Sequence, residues 1–505
     1  MLDRIAYFKG ILAPGDFEKL KRYKTINELL EDVCHRYADE AAIKWNAGSK
    51  TYGELYAEVA KTRGLLLSKG LKKGNHVGVM FYNEYDFVRS ILAVTTLGMV
   101  AVVMPTSLPP QVIFGLSHKF KLDGLVYASD VESNVSAAKA MSLKISFVNA
   151  SELSLGAAAP MEKVELNTPA VIMFTGGTTG APKGAILSHG NLCRGALNGT
   201  YGPGRAFKRR YLSLIPFTHV FGLVRNLLSV LETGSSLYLV KDSSAFVKEM
   251  AIAKPEAMVL VPALANMVYG LVMAYGKGIL GGSLEFIICG GSVVSPELIN
   301  RLLSVGIICC PGYGLTETAN LVSGSGEYAR KPASVGCPYP DQQLKVVNGE
   351  LWIKGDNVFL GYYGDEEATK QVFEDGWFKT GDLVYFDDEG FLYIIGRSKN
   401  LIVLDSGEKV SPEALEALVN ANPLVADSEV YQTRDEHGTQ IIGVEIFPNM
   451  RALEAKQIKN PQEMIQKIVD GINVSLAKHE KIRQVIVRDK DFPRTPAMKI
   501  IRSKR

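Results

Sequence analysis

The stretch Phe174-Thr-Gly-Gly-Thr-Thr-Gly-Ala-Pro-Lys-Gly184 joins two runs of β-forming residues, Pro169–Phe174 and Ala185–Leu187. Its glycines permit a tight turn that presents backbone N–H groups to an anion, and its threonines and Lys183 add donors suited to phosphate oxygens. A Walker A loop would continue from its lysine into Ser or Thr and a helix, and a dinucleotide-binding loop would separate its first two glycines. The stretch therefore predicts a phosphate-binding loop of neither kind, set between two strands.

Outward from this loop, short apolar β-rich runs alternate with helical patterns. The run His76–Phe81 is followed by a helix from Asp86, a stop at Gly98 and a second run, Val100–Met104. This alternation is typical of layered α/β structure with largely parallel sheets. We therefore expect a large α/β body.

A different pattern begins further along the chain. Trp377–Lys379 and Leu383–Phe386 lead to the turn Asp387–Gly390, after which Phe391–Ile395 returns as a strand. This order predicts an antiparallel β-subdomain, with Asp382 in a loop between the first two strands.

The last hundred or so residues form a third pattern. Ser411-Pro412 and Asn460-Pro461 are start signals for two helices, because each pairs a capping side chain with a proline at the first helical position. The surrounding β-rich runs are Glu429–Tyr431, Gln440–Phe447 and Gln484–Arg488. We predict a nucleotide- and acyl-binding domain over residues 1–396 and a small α+β domain over residues 397–505.

Composition excludes several classes of function. The 505 residues include 56 Lys+Arg and 53 Asp+Glu, a net charge of +3, which argues against a nucleic-acid partner bound through a basic field. The six Cys residues form no C-x-x-C pair and the seven His residues show no metal-ligand spacing. We expect reduced core thiols, a reducing cytoplasm and no structural zinc.

Two apolar stretches resemble membrane segments at first sight. Ser90–Met104 is about 15 residues long and is interrupted by Gly98, and Ala257–Gly276 is interrupted by Pro262. The second stretch is better explained by a buried strand followed by a helix that begins at the proline. With no apolar signal-peptide core at the N-terminus, we expect a soluble, cytoplasmic protein without a transmembrane segment.

Further motifs follow the glycine-rich loop in a fixed order. They are Pro216-Phe-Thr-His-Val-Phe-Gly222, Gly290-Gly-Ser292, Tyr313-Gly-Leu-Thr-Glu-Thr318, Lys379-Thr-Gly-Asp382, Gly396-Arg397 and a terminal Lys499. From about Tyr52 to Lys499 the chain resembles the acyl-adenylating superfamily of acyl-CoA synthetases, beetle-type luciferases and nonribosomal-peptide adenylation domains. The resemblance implies a mobile C-terminal domain that acts as a lid.

The resemblance also implies where the nucleotide is bound. Lys183 and the threonines of the loop would clamp pyrophosphate, Tyr313 would stack on adenine, and Asp382 with Arg397 would hold the ribose. The implied ATP- and AMP-binding residues are Thr175, Gly176, Gly177, Thr178, Thr179, Gly180, Lys183, Gly290, Gly291, Ser292, Tyr313, Gly314, Asp382 and Arg397.

Activation of a carboxylate needs charge stabilisation and in-line placement but no general base, since the carboxylate is already ionised. The resemblance implies Lys499, Thr316 and Glu317 as catalytic residues. Lys499 would bridge the acyl carboxylate and the phosphate, Thr316 would reach the α-phosphate, and Glu317 would bind Mg²⁺.

Three further roles follow from the resemblance. The implied acyl-pocket residues are His219, Phe217 and Gly222; His219 could instead be a core histidine with satisfied hydrogen bonds. Lys399 matches the family's hinge position, about which the small domain would rotate between half-reactions. Gly407 would line the tunnel for the thiol.

These patterns predict an ATP- and Mg²⁺-dependent ligase that forms an acyl-AMP and passes the acyl group to coenzyme A. The alternatives are transfer to a carrier protein in trans, a reaction that stops at adenylation or oxidises the adduct, and a non-catalytic nucleotide-binding relative. Phe217–Gly222 offers no acidic residue for an amino-acid ammonium group, which favours a fatty or aromatic acid. The acid's identity and the oligomeric state stay open.

Overall fold

The computed structural model describes residues 3–175, 183–405, 407–494 and 500–502. Two large sheets dominate the first two thirds of the chain. In spatial order, the nine-stranded sheet contains Cys337–Pro338, Ser323–Gly324, Ile308–Tyr313, Phe286–Cys289, Ala257–Leu260, Arg210–Ser213, Ser236–Leu239, Ala41–Trp45 and Gly48–Thr51. The seven-stranded sheet contains Gly361–Tyr362, Lys183–Ser188, Pro169–Thr175, Val100–Val103, His76–Met80, Gly124–Tyr127 and Ser146–Asn149.

Both sheets are parallel in their centres, and antiparallel strands lie at both edges of the nine-stranded sheet and at one edge of the seven-stranded sheet. In the nine-stranded sheet, all neighbouring strands from Ile308–Tyr313 to Ala41–Trp45 in the spatial order are parallel. In the seven-stranded sheet, the same holds from Pro169–Thr175 to Ser146–Asn149. Parallel pairing needs crossover connections, which the intervening helices supply. The predicted layered α/β class is confirmed.

Helices surround the sheets in the order that the sequence patterns indicate. They are Arg4–Ile11, Ile26–Arg36, Tyr52–Ser68, Tyr85–Thr96, Pro110–Lys119, Glu132–Ala140, His189–Thr200, the π-helix Phe221–Leu228, Ser229–Glu232, Phe246–Ala253, Pro262–Tyr275, Pro296–Ser304 and Glu366–Val372. Gly98, with φ +65°, ends the turn between Tyr85–Thr96 and the following strand. In the described ranges, no helix has both the length and the apolar character needed to cross a membrane.

A smaller antiparallel sheet contains the predicted hairpin. Its strands are Gln343–Val347, Glu350–Lys354, Phe373–Glu374, Trp377–Phe386 and Leu392–Arg397. The expectation that Asp382 lies in a loop is wrong, because Trp377–Phe386 is one continuous strand. Within it, Asp382 pairs with Arg397 of the neighbouring strand. Gly381 adopts φ +72° and a register shift follows at Leu383–Val384, so the strand continues through a bulge that resembles a break in the sequence.

The C-terminal part has its own α+β organisation. Its strands are Ile402–Val403, Lys409–Val410, Val425–Arg434, Gln440–Pro448 and Ile482–Val487, and its helices are Pro412–Asn420, Met450–Ala455 and Pro461–Ser475. The predicted caps are present, since Ser411 accepts from the Ala414 N–H and Asn460 from the Glu463 N–H. One hydrophobic cluster is built from this part alone, between Ile402 and Ile482. The boundary at residues 396 and 397 stays a prediction.

A fully buried histidine gives the N-terminal body a pH-dependent stability. His189 Nδ1 accepts from the Ile26 N–H at 3.2 Å, and burial lowers the pKa of His189 to about 4. The unfolded chain binds a proton near pH 6.5 that the folded chain excludes, so stability falls as pH drops from 6.5 towards 4, by about 3 kcal/mol from this group. We expect His189→Gln to flatten the pH profile of urea unfolding over that interval.

The exposed His437 supplies the control for this prediction, because His437→Gln removes an imidazole that lies at the surface. A profile for His189→Gln that is as steep as the wild-type profile would contradict the assignment.

Candidate active site

One cavity of about 1090 Å³ gathers most of the residues singled out in the sequence. Its walls are the chain segments that follow the parallel strands, such as Phe81, Pro105, Ile215, Val261 and Gly290. Ligands of open α/β sheets bind at the carboxyl ends of strands, where loops from neighbouring strands converge. The topology of the two sheets therefore builds this site.

One end of the cavity carries a buried charged triad. Asp382 is 3% exposed and accepts from the Tyr313 hydroxyl through Oδ2 at 2.6 Å, while its Oδ1 pairs with Arg397 Nε at 2.8 Å. Burial and the Asp382 carboxylate raise the pKa of Tyr313 well above its usual range. Tyr313 and Arg397 line the cavity, whereas Asp382 lies behind them. The predicted ribose contact of Asp382 therefore requires an opening from this pair towards the cavity.

A second polar cluster lies on the same wall. The Tyr362 hydroxyl donates to Glu317 Oε1 at 2.8 Å, and Lys183 Nζ lies 4.9 Å from the centroid of the Tyr362 ring. Gly361–Tyr362 pairs with Ala185 and Ile186, which places Tyr362 beside the strand that begins at Lys183. Tyr362 thus connects the predicted phosphate ligand with the predicted metal ligand.

The backbone after Glu317 departs from ordinary geometry. Thr316–Thr318 forms a short 3₁₀ turn, after which Ala319 and Asn320 adopt φ +46° and +87°. Non-glycine residues in this region store strain and cluster at ligand sites. The Glu317 carbonyl accepts from the Phe359 N–H at 2.9 Å, which fixes the turn against the next segment.

Glu317 is suited to Mg²⁺ but not to a metal held by protein alone. In the described ranges, no three His, Cys, Asp or Glu side chains form a group that could hold a metal ion. Mg²⁺ uses one or two carboxylates and takes its remaining ligands from phosphates and water. A half-buried carboxylate held by Tyr362 at the cavity wall fits that pattern.

Lys399 extends into the cavity from the C-terminal side. Burial and the Arg397 guanidinium lower the pKa of Lys399, and Lys399 lines the cavity together with Ser398. The residue predicted as a hinge therefore also adds positive charge to the site.

The opposite end of the cavity is apolar. Phe217 is 2% exposed and stacks on Phe87 with ring centroids 4.9 Å apart. His219 is half-buried and lines the cavity, which favours the pocket-wall interpretation over a core histidine. The other apolar lining residues include Ile215, Val220, Phe221, Val261, Leu264, Met267 and Ile288.

The remaining predicted residues divide into three groups. Thr175, Lys183, Gly290, Gly291, Gly314, Thr316 and Glu317 line the cavity. Gly176, Gly177, Thr178, Thr179, Gly180 and Lys499 lie outside the described residues. Ser292 is exposed, Gly222 packs against the Pro216 carbonyl, and Gly407 lies in the turn before Lys409–Val410, so none of these three is brought into the lining.

Tyr362 is the functional candidate that the sequence analysis missed. No local signal marks it, because its two contacts are with Glu317 and Lys183, which are distant from it in sequence. If it positions Glu317, Tyr362→Phe should raise the Mg²⁺ concentration needed for half-maximal adenylation about tenfold, the cost of one hydrogen bond to a charged group. Tyr362→Leu, which also removes the ring beneath Lys183, should weaken ATP binding several-fold more.

Tyr363→Phe provides a matched control, since Tyr363 packs on Phe120 and His76 outside the cavity. An unchanged Mg²⁺ requirement in Tyr362→Phe would contradict the positioning role.

Comparison with known proteins places the chain among nucleotide-dependent enzymes. Residues 30–363 match the AMP-binding enzyme family, and residues 399–505 match the AMP-binding enzyme C-terminal domain. The chain is 26% identical over 491 residues to the 2-succinylbenzoate–CoA ligase of Bacillus thuringiensis subsp. konkukian (strain 97-27), covering 95% of this chain and 98% of the relative.

Solved structures share the fold over nearly the whole length. A structure of the anthranilate CoA ligase AuaEII with anthranoyl-AMP has a TM-score of 0.85 at 19% identity and covers 96% of this chain and 97% of its own. The o-succinylbenzoate CoA synthetase of Bacillus subtilis with its acyl-adenylate intermediate has a TM-score of 0.79 at 24% identity, covering 94% and 96%. The family match over residues 30–363, together with the cavity assembled from the motifs in that range, shows that the chain belongs to the AMP-binding enzyme family.

Proposed function

We propose that this enzyme activates a carboxylic acid with ATP to an acyl-AMP and then transfers the acyl group to the thiol of coenzyme A. One observation carries the proposal: a single cavity joins a charged wall, with Lys183, Glu317 and Arg397, to an apolar end. Such a cavity can hold a nucleoside triphosphate against the charged wall and an apolar acid at the apolar end.

In the first half-reaction, a carboxylate oxygen attacks the α-phosphorus and the bond to the β-phosphate bridging oxygen breaks, so pyrophosphate leaves. Lys183 is placed to neutralise charge on the leaving phosphates and Thr316 to donate to the α-phosphate. Mg²⁺ held by Glu317 would supply further charge neutralisation at the phosphate oxygens. Tyr362 holds that carboxylate in place before the nucleotide arrives.

In the second half-reaction, the thiol sulfur attacks the acyl carbon, the acyl–oxygen bond to AMP breaks, and the thiol proton is released. Arg397 and Lys399 line the cavity, and their role in this proposal is to supply positive charge for the departing AMP. Gly407, in its turn with φ +87°, is the predicted point of close approach for the thiol arm.

The acid is proposed to be apolar, and aromatic before fatty. Phe81, Phe217 and Phe221 contribute aromatic rings to the cavity lining, and no carboxylate from Phe217–Phe221 is available for an ammonium group. The names of the curated relatives, 2-succinylbenzoate–CoA ligases, also support an aromatic acid.

A pyrophosphate-release screen over aromatic, fatty and amino acids, with and without coenzyme A, tests the proposal. We expect pyrophosphate release with an aromatic or fatty acid. The rate of release should rise several-fold when coenzyme A is added, because thiol attack regenerates the free enzyme. Release unaffected by coenzyme A but restored by an acyl carrier protein would favour the carrier alternative. No acid-dependent release across the panel would contradict the proposal.

The hinge assigned to Lys399 makes a separate prediction. Lys399 lies in the short 3₁₀ turn Ser398–Asn400, and proline there would restrict the backbone rotation that a lid needs. We expect Lys399→Pro to leave ATP binding largely intact and to slow one half-reaction at least about tenfold more than the other in single-turnover assays. Lys399→Arg, which keeps the charge and the backbone freedom, is the control. Equal slowing of both half-reactions would count against a hinge.

A further inference from the structure

A second, small cavity lies beneath the π-helix Phe221–Leu228 and is separate from the active site. It measures about 10 Å³, room for about one water-sized sphere. Its lining includes three arginines, Arg205, Arg209 and Arg225, and among the described residues it includes no acidic side chain.

Arg225 is the central group of this cavity. It is 4% exposed, and its guanidinium lies 5.6 Å from the centroid of the Tyr211 ring. Across residues 3–175, 183–405, 407–494 and 500–502, the Arg225 guanidinium has no hydrogen bond or ion pair. A Cβ on Gly199 would lie 2.7 Å from Arg225 Cδ, so the stem of the side chain is held by close packing.

Arg209 brings a second buried positive charge to the same space. It is 7% exposed, its Nε donates to the Arg205 carbonyl, and its guanidinium lies 5.5 Å from the Phe286 ring centroid. These contacts satisfy hydrogen-bond donors of Arg209 but do not balance its positive charge. Of the three arginines, Arg205 is the one with a described carboxylate partner, Glu256, at 3.0 Å.

A buried guanidinium without a counter-charge is strongly unfavourable, and arginine does not relieve this by losing its proton. A water molecule could fill the cavity but would leave the charge unbalanced. We infer that the cavity between Arg209 and Arg225 binds a small inorganic monovalent anion, with chloride as the physiological ligand. A small anion of this kind matches the small volume of the cavity.

The position of the site gives the anion a structural consequence. Arg225 belongs to the π-helix that begins directly after His219 and Val220, and Tyr211 belongs to the strand Arg210–Ser213. A bound anion would hold this helix against the strand, behind the apolar wall of the active site. This inference does not depend on the proposed ligase activity.

Thermal unfolding at constant ionic strength tests the site in solution. Replacing gluconate by chloride or bromide should raise the Tm of the wild-type protein by about 2 °C for each tenfold increase in halide above the Kd, since a ligand of the native state stabilises it logarithmically. Arg225→Met, which keeps an unbranched stem without the charge, should abolish this response. Arg210→Met removes an exposed arginine from the adjacent strand and should retain it.

Bromide anomalous diffraction from wild-type crystals provides an independent measurement that needs no variant. We expect a peak in the cavity at hydrogen-bonding distance from the Arg225 guanidinium, and Arg225→Lys should keep a weaker halide response. A halide-independent wild-type Tm, an equal response in Arg225→Met, or density in the cavity without a bromide signal would overturn the inference.

Discussion

Glu317→Gln is expected to lower the rate of acyl-AMP formation about 1,000-fold, because it removes the carboxylate that we propose holds Mg²⁺ against the phosphates. Glutamine keeps the shape of the side chain and can still accept from Tyr362, so the change isolates the charge. The loss should be confined to adenylation, since the attack of a thiol on a finished acyl-AMP involves no triphosphate. Single-turnover formation of acyl-AMP, followed as a function of Mg²⁺ concentration, measures the effect.

Glu366→Gln is the matched control, because Glu366 is exposed at the start of a surface helix. A loss below about tenfold in Glu317→Gln, or a large loss with a normal Mg²⁺ dependence, would remove Glu317 from the metal-binding role.

Lys499→Ala is expected to cost on the order of 3–4 kcal/mol in the barrier of adenylation, about a 100- to 1,000-fold slower rate. The predicted role of this ammonium is to neutralise the charge that a carboxylate and a phosphate bring together. Thioester formation from supplied acyl-AMP should change little, because the acyl group no longer carries a carboxylate charge once it is bonded to the phosphate. Measuring the two half-reactions separately distinguishes this role from a general loss of folding.

Lys490→Ala removes an exposed lysine from the same C-terminal region and should leave both half-reactions unchanged. If Lys499→Ala slowed thioester formation as severely as adenylation, the predicted bridging role would be wrong.

Much of the fold was predictable because its signals are local. Pro262, Ser411 and Asn460 mark helix starts that depend on a capping side chain or a fixed φ, and the structure has each of them. The parallel α/β class followed from alternating patterns in the same way. The loop predicted around Asp382 failed because a glycine with positive φ can form a bulge inside a strand as readily as it can end one.

Site residues that belong to a sequence motif were predictable. Site residues that only the tertiary fold brings together were not. The family membership and the acid-activating chemistry expected from the motifs are confirmed by the comparisons. Tyr362 lies 45 residues from Glu317 in sequence, and Asp382 lies 15 residues from Arg397. Only the tertiary fold brings each of these pairs together. Arg225 was missed for a related reason, since the sequence does not show that an arginine is buried without a carboxylate partner among the described residues.

The fate of the carboxylate oxygens tests the central claim most directly. The acid, labelled with ¹⁸O at both carboxylate oxygens, is incubated with the enzyme, ATP and coenzyme A. The masses of the products are then measured by mass spectrometry. An acyl-AMP route predicts one ¹⁸O atom in AMP, one in the thioester and none in pyrophosphate. AMP free of ¹⁸O, or ¹⁸O found in pyrophosphate or inorganic phosphate, would contradict it.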